Sequence, residues 1–175
     1  MRLFVLEFIT FAKTFSIKQV CLSSIEKAID KVDNLDEDSL EKLAETYALA
    51  QQILLGYVMS AAAEYENDKL EGLLIYYYCL ISEAFVQEGV LLNEIDEAAI
   101  DEFEEPFFEV LDQYFKQEDE ESIIEFNEQP DLTRFMMIEV STEDVDGTSL
   151  DDDTATQLFI VMLAMISLMN TAIKA

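Results

Sequence analysis

With 175 residues and 51% apolar side chains, the chain has the material for one folded domain with its own core, despite its heavy charge. Four glycines and two prolines are too few for a sandwich or barrel, which needs a turn about every ten residues. A formal charge of −28 repels nucleic-acid phosphates and acidic lipid, and the absence of histidine removes Ser-His-Asp and Cys-His catalysis, histidine-ligated zinc and the Glu-x-x-His di-iron bundle.

The opening stretch, Arg2 to Phe15, reads as a core helix. Glu7 interrupts its apolar run and no small-residue cleavage site follows. Ser24 to Val32 reads as a second helix, with Ser23-x-x-Glu26 as its capping box. Ser39 to Glu66 gives the longest pattern: Leu40, Leu43, Ala44, Tyr47, Leu54, Tyr57, Val58, Ala61 and Tyr65 recur at steps of three and four. Asp38 with Glu41 starts this helix, and Asn67-Asp68 breaks it. Asp68 to Glu88 follows as its antiparallel partner, with a stripe of Leu70, Leu73, Leu74, Tyr77, Ile81 and Phe85 and with Gly89 as its stop. The run Tyr76-Tyr77-Tyr78 points three ways on a helix, which suits packing better than a stacking platform.

Downstream, Asn93 is placed to cap a helix through Phe103. Pro106 suits the first turn of another, carrying Phe107, Val110, Leu111, Tyr114 and Phe115. The stretch EDEESIIEFNEQP reads as a short helix that stops before Pro130. Thr133 to Val140 has no period that assigns it to helix or strand. The last helix runs from about Thr154 to the end. Its apolar stretch, Leu158 to Ile173, is 16 residues, short of the ~20 needed to span a bilayer. That favours a buried central helix over a tail anchor. The expected fold is therefore all-α: one domain over residues 1–175, a bundle of about six or seven helices with the apolar C-terminal helix near its centre.

Cys21 and Cys79 lie in apolar runs and read as two buried free thiols. Two cysteines make neither a disulfide framework nor a four-thiolate zinc site, and the expected compartment is cytoplasmic.

The charge is unevenly spread. Residues 1–92 carry 15 acids and 7 bases, net −8; residues 93–153 carry 23 acids and 2 bases, net −21; the remainder carries only Lys174. Solubility alone does not require such clustering, whereas a basic partner surface would be steered by it. The expected function is accordingly a non-catalytic acidic interaction protein, an immunity or inhibitor protein or a mimic of nucleic-acid charge. Its expected partner-binding residues are Glu102, Glu104, Glu105, Glu109, Asp112, Glu118, Asp119, Glu120 and Glu121, with Phe107 or Phe108 as an apolar anchor. A structural homodimer that covers surplus apolar surface is a further alternative.

A second class of function rests on carboxylates and a hard cation. Asp144-Val-Asp146-Gly147-Thr148 resembles the nucleophile loop of haloacid-dehalogenase-type phosphatases and also half of an EF-hand. The first resemblance implies Asp144 as nucleophile and Asp146 as proton donor. Ser141-Thr142-Glu143 intervenes where that family has the end of a strand, and only 29 residues follow Asp146, with one lysine among them. The second implies Asp144, Asp146 and Asp153 at ligand positions 3, 5 and 12 around Gly147, holding calcium or magnesium; Thr142 then stands where an aspartate is expected. The simpler reading is a turn at Gly147 and an acidic cap from Asp151, Asp152, Asp153 and Thr154 on the last helix. Glu102-x-x-Glu105 and Glu109-x-x-Asp112 are similar to the magnesium-binding pairs of all-α nucleotide pyrophosphohydrolases, yet they are too close in sequence to face each other across a bundle.

Overall fold

The computed structural model describes residues 18–175, so the helix expected over Arg2 to Phe15 lies outside them. The described chain is all-α. Eight helices follow in order: α1 Leu22–Asp33, α2 Glu37–Ala50, α3 Gln52–Glu64, α4 Leu70–Gln87, α5 Glu97–Gln117, α6 Glu120–Asn127, α7 Pro130–Ser141 and α8 Asp152–Thr171. Among the described residues the only β pairing is an isolated bridge between Leu92 and Ile173. It is reinforced by Asn93 N–H to the Ala172 carbonyl and Lys174 N–H to the Leu91 carbonyl, both 2.8 Å.

Among the described residues eight helices stand against the six or seven expected: a break at Gln51 adds one, fusion across Pro106 removes one, and residues 133–140, left unassigned by their sequence, supply α7. The stretch Ser39 to Glu66 is not one helix. Gln51 leaves helical geometry at φ −144°, ψ 57°, and separates α2 from α3. Its buried side chain donates to the Asn93 carbonyl (2.8 Å) and accepts from the Ile95 N–H (2.9 Å). The break thus satisfies two backbone groups of the 93–95 segment, a requirement that apolar periodicity does not encode.

The opposite error occurs at Pro106. The two helices expected on either side of it are one, α5, with the proline inside. The missing N–H frees the Glu102 carbonyl, but Pro106 and Glu102 are both on the exposed side, where water can serve that oxygen. Ile100, Phe103, Phe107 and Leu111 carry the buried stripe across the proline, and their packing holds the helix together. Thr133 to Val140 belongs to α7, begun by Pro130 in the first turn. Its apolar residues run consecutively, and contact with α8 selects Leu132 and Met136 as the buried ones.

Caps follow the same division. Asp36 rather than Asp38 caps α2, accepting from Ser39 N–H at 2.8 Å. Asp96 rather than Asn93 caps α5, accepting from Ala99 N–H at 2.9 Å. At α1 the expected Ser23–Glu26 box is replaced by a residue from another helix end: Glu88 accepts from Cys21 N–H (3.0 Å) and from the Ser24 hydroxyl (2.7 Å). Gly89 ends α4 at φ 71°, and Val90 N–H reaches back to the Phe85 carbonyl at 3.0 Å, the six-residue closure of a Schellman motif.

Two helices organise the core. α4 packs on α1, α2, α3 and α8, while α8 touches α3, α4, α5, α6 and α7. From Leu158 to Asn170 nearly every α8 residue is buried. By length and composition α8 is apolar enough to cross a membrane, but 72% of that stretch is buried against the other helices. The tyrosine run fans out as expected for packing. Tyr76 donates to Asp33 of α1 (2.6 Å), Tyr77 to Glu139 of α7 (2.8 Å), and Tyr78 to the Tyr47 carbonyl of α2 (3.4 Å). Of the two free thiols only Cys79 is buried; Cys21 is exposed just before α1, contrary to expectation.

Candidate interaction surface

The outer face of α5 is built by helical arithmetic. Ile100, Phe103, Phe107 and Leu111 take the inner face, so Asp101, Glu105, Phe108, Asp112 and Phe115 fall on the outer one at steps of three and four. Phe108 and Phe115 are 51% and 50% exposed and lie seven residues apart, two turns or about 10 Å along the axis. Of the two anchors expected from sequence, Phe108 is therefore the available one; Phe107 is 1% exposed and stacks on Phe103 at 4.7 Å.

Around this aromatic pair, Glu102, Glu105, Glu109 and Asp112 are exposed on α5. Glu104 is half buried against Tyr57, whose phenol pKa is raised by burial first and by Glu104 next. Glu118 turns the chain in left-handed geometry (φ 52°), and Asp119, Glu120 and Glu121 continue the acidic surface over the start of α6. Asp119 is also the α6 cap, accepting from Ser122 N–H at 3.3 Å. Lys116 is the one base in this run, and it is paired with Asp112 at 2.6 Å. All nine carboxylates expected at a partner site thus fall on one helix, the turn after it and the next helix start. Glu102, Glu105, Glu109 and Asp112 share a single helix, so they cannot form the two-helix magnesium site of the pyrophosphohydrolase pattern.

Beside Phe115 the surface opens into a groove of about 670 Å³ between the end of α5, the start of α6, the end of α7 and the start of α8. Tyr114, Phe115, Met137, Leu150 and Phe159 supply apolar wall. Their rings form a chain from surface to core: Phe115 meets Tyr114 edge-on at 5.1 Å, and Tyr114 meets Phe159 at 5.9 Å. Glu120, Glu143 and Asp152 stand in the same wall, and among the described residues no lysine or arginine does. The phenol of Tyr114 has a raised pKa, from burial first and then from the charges of Glu120 and Glu118.

The metal-type loop is arranged differently from either pattern it resembles. Gly147, at φ 79°, reverses the chain, with Gly147 N–H bonded to the Asp144 carbonyl and Asp144 N–H to the Thr148 carbonyl. Asp146 accepts from both the hydroxyl (2.6 Å) and the N–H (3.0 Å) of Thr148, which hold its carboxyl below the usual carboxylate range. Asp153 lies in the first turn of α8. Among the described residues no group of three or more histidine, cysteine, aspartate or glutamate side chains comes close enough to hold an ion, so Asp144, Asp146 and Asp153 are not brought together. Asp151 is the α8 cap, accepting from Thr154 N–H (2.9 Å) and pairing with Lys69 (2.7 Å).

Sequence reasoning missed the one fully buried carboxylate among the described residues, Glu83 on α4. Its side chain is 0% exposed and takes the Lys31 ammonium at 2.9 Å, the Tyr47 hydroxyl and the Gln87 amide at 2.6 Å. Burial pushes the carboxyl up, and the three donors outweigh it, so its pKa lies below the ordinary range. This group ties α1 and α2 to α4. Within this cross-link the Glu83 side chain is closed to solvent, while Lys31 is half exposed. The signal was a lone acid inside the apolar run of residues 73–86, four residues after Cys79, whose thiol pKa is raised to about 11 by burial first and by Glu83 second. No family model, curated protein or solved structure matches this chain.

Proposed function

We propose that this chain is a non-catalytic interaction protein that binds a basic protein surface, acting as an immunity or inhibitor protein or as a mimic of nucleic-acid charge. In this reading the helices form a bundle-like scaffold around α8 and present α5 outward. The observation that carries it is Phe108 and Phe115 standing half exposed in one line within the acidic surface of α5 and α6.

Magnitudes favour an anchored contact over a purely electrostatic one. Covering the exposed half of a phenylalanine, about 100 Å², contributes about 2 kcal/mol. A solvent-exposed ion pair contributes less, so the carboxylates mainly supply steering, orientation and salt sensitivity. Exposed aromatics surrounded by charge are the composition of an interface centre and its rim.

The test is capture of partners from source lysate, first at low salt and then at high salt. The native chain is compared with a variant carrying Glu105→Gln, Phe108→Ala, Glu109→Gln and Asp112→Asn. The expected result is a basic protein held by the native chain at low salt, released at high salt and not held by the variant. Retention of no basic protein at low salt, or equal retention by both chains, refutes the reading.

A further inference from the structure

We infer that the groove between α5, α6, α7 and α8 is a docking site for an arginine-bearing amphipathic segment of a partner protein. The inference rests on the proposed interaction role and assigns it a particular place. Apolar side chains of the segment would lie against Tyr114, Phe115 and Leu150. Its guanidinium groups would face Glu120, Glu143 and Asp152.

Three properties of the groove select this occupant. The first is the sign of its charge. The starts of α6 and α8 both enter the groove, and a helix start alone favours an anion. Here each start is already capped by its own carboxylate, Asp119 on Ser122 N–H and Asp151 on Thr154 N–H. Glu120, Glu143 and Asp152 then add whole negative charges, with no base in the wall among the described residues. Two half-charges of helix dipole do not offset them, so the groove selects a cation.

The second property is its aromatic wall. Phe115 and Tyr114 offer faces on which a planar guanidinium stacks while its N–H groups reach a carboxylate; ammonium groups lack that planar fit. The third is its shape. At about 670 Å³ it has the volume of a small-molecule pocket, but it is an open trough with three carboxylates in its wall. Small-molecule sites enclose most of their ligand in mainly apolar surroundings. A segment carrying both apolar and basic side chains matches a trough lined by both apolar and acidic ones.

The probe is a synthetic arginine–leucine peptide with helical amphipathic spacing and one tryptophan on its apolar side. This protein has no tryptophan, so the peptide's emission alone reports its surroundings. A scrambled peptide of equal composition controls for charge. The groove variant carries Phe115→Ser, Glu120→Gln and Glu143→Gln. A distal variant with Glu26→Gln, Asp30→Asn and Glu37→Gln removes three carboxylates from α1 and α2, one more than the groove variant loses.

The native chain and the distal variant are expected to blue-shift the tryptophan emission and to bind the amphipathic peptide more tightly than the scrambled one. The groove variant is expected to lose affinity by about tenfold or more. Equal affinity for the groove variant and the native chain overturns the inference, as does equal affinity for the two peptides. If binding is instead lost in the α5 face variant Glu105→Gln/Phe108→Ala/Glu109→Gln and kept in the groove variant, the interaction role stands and the groove assignment falls. Light scattering that finds native dimers which Phe115→Ser dissociates gives the groove to a second copy and also overturns the inference. Far-ultraviolet circular dichroism of each variant establishes that it is folded before its binding is scored.

Discussion

Removing Lys31 is expected to cost more stability than neutralising Glu83, although both changes break the same contact. The pair is asymmetric: the Glu83 side chain is 0% exposed and that of Lys31 is 46% exposed. Taking one partner from a fully buried pair costs about 3–5 kcal/mol, because a charge is left without its counterion. Lys31→Met leaves Glu83 ionised and buried, but Tyr47 and Gln87 still donate to it, and the lysine was half solvated. Those two facts bring the expected loss to about 2 kcal/mol, or a fall of about 4–8 °C in Tm for a chain of this size. Glu83→Gln keeps the volume, leaves an oxygen for Tyr47 and returns the lysine to water, so about 1 kcal/mol or less is expected. The double variant is then less destabilised than the sum of the two, since glutamine removes the charge that Lys31→Met strands.

The pH dependence has a definite sign. The folded pKa of Glu83 lies below the ordinary carboxylate value, so its contribution is present above that value and is lost as pH falls through the folded pKa. The deficit of Lys31→Met is therefore largest near neutrality and shrinks in acid, where the stranded carboxylate takes a proton. Denaturant melts of the four chains between pH 3 and pH 7 measure this. Equal or greater damage from Glu83→Gln, or a Lys31→Met deficit that persists unchanged in acid, would refute the reasoning.

Other expectations follow from single features. Asp151→Asn weakens the α8 cap and the Lys69 bridge and lowers Tm at neutral pH; because the Asp151 carboxyl is held far below its usual 3.8, the gap to the native chain closes as pH falls below that value. Gly89→Ala costs about 1–2 kcal/mol, since φ is 71° there and the new Cβ meets nothing closer than Lys18 Nζ at 3.6 Å, so the loss is one of backbone strain that thermal melts detect. Sodium chloride is expected to raise Tm by screening the acids of α5 and α6, and calcium or magnesium at matched ionic strength to raise it no further; a millimolar divalent shift beyond the sodium curve would instead establish an ion site.

The sequence by itself determined the helical class, because low glycine and proline content and apolar steps of three and four are local properties of the chain. It also located the acidic region and its phenylalanines, since charge and composition are read directly. The stop of α4 at Gly89, the fan of Tyr76 to Tyr78 and the turn at Gly147 were legible for the same reason: each follows from the geometry of a few neighbouring residues. What only the tertiary structure decided depends on partners distant in the chain. Gln51 breaks a continuous helical pattern to serve residues 93–95. Pro106 stays inside α5 because the buried stripe spans it, and Glu88 caps a helix more than sixty residues away. The choice of Phe108 over Phe107 as the exposed ring follows from which side of α5 meets the core. The groove exists only because the ends of four helices converge, and burial of Glu83 needs donors from three positions on three helices. Local periodicity fixes the direction in which a side chain leaves its helix, while the identity of what it meets is set by packing across the whole chain.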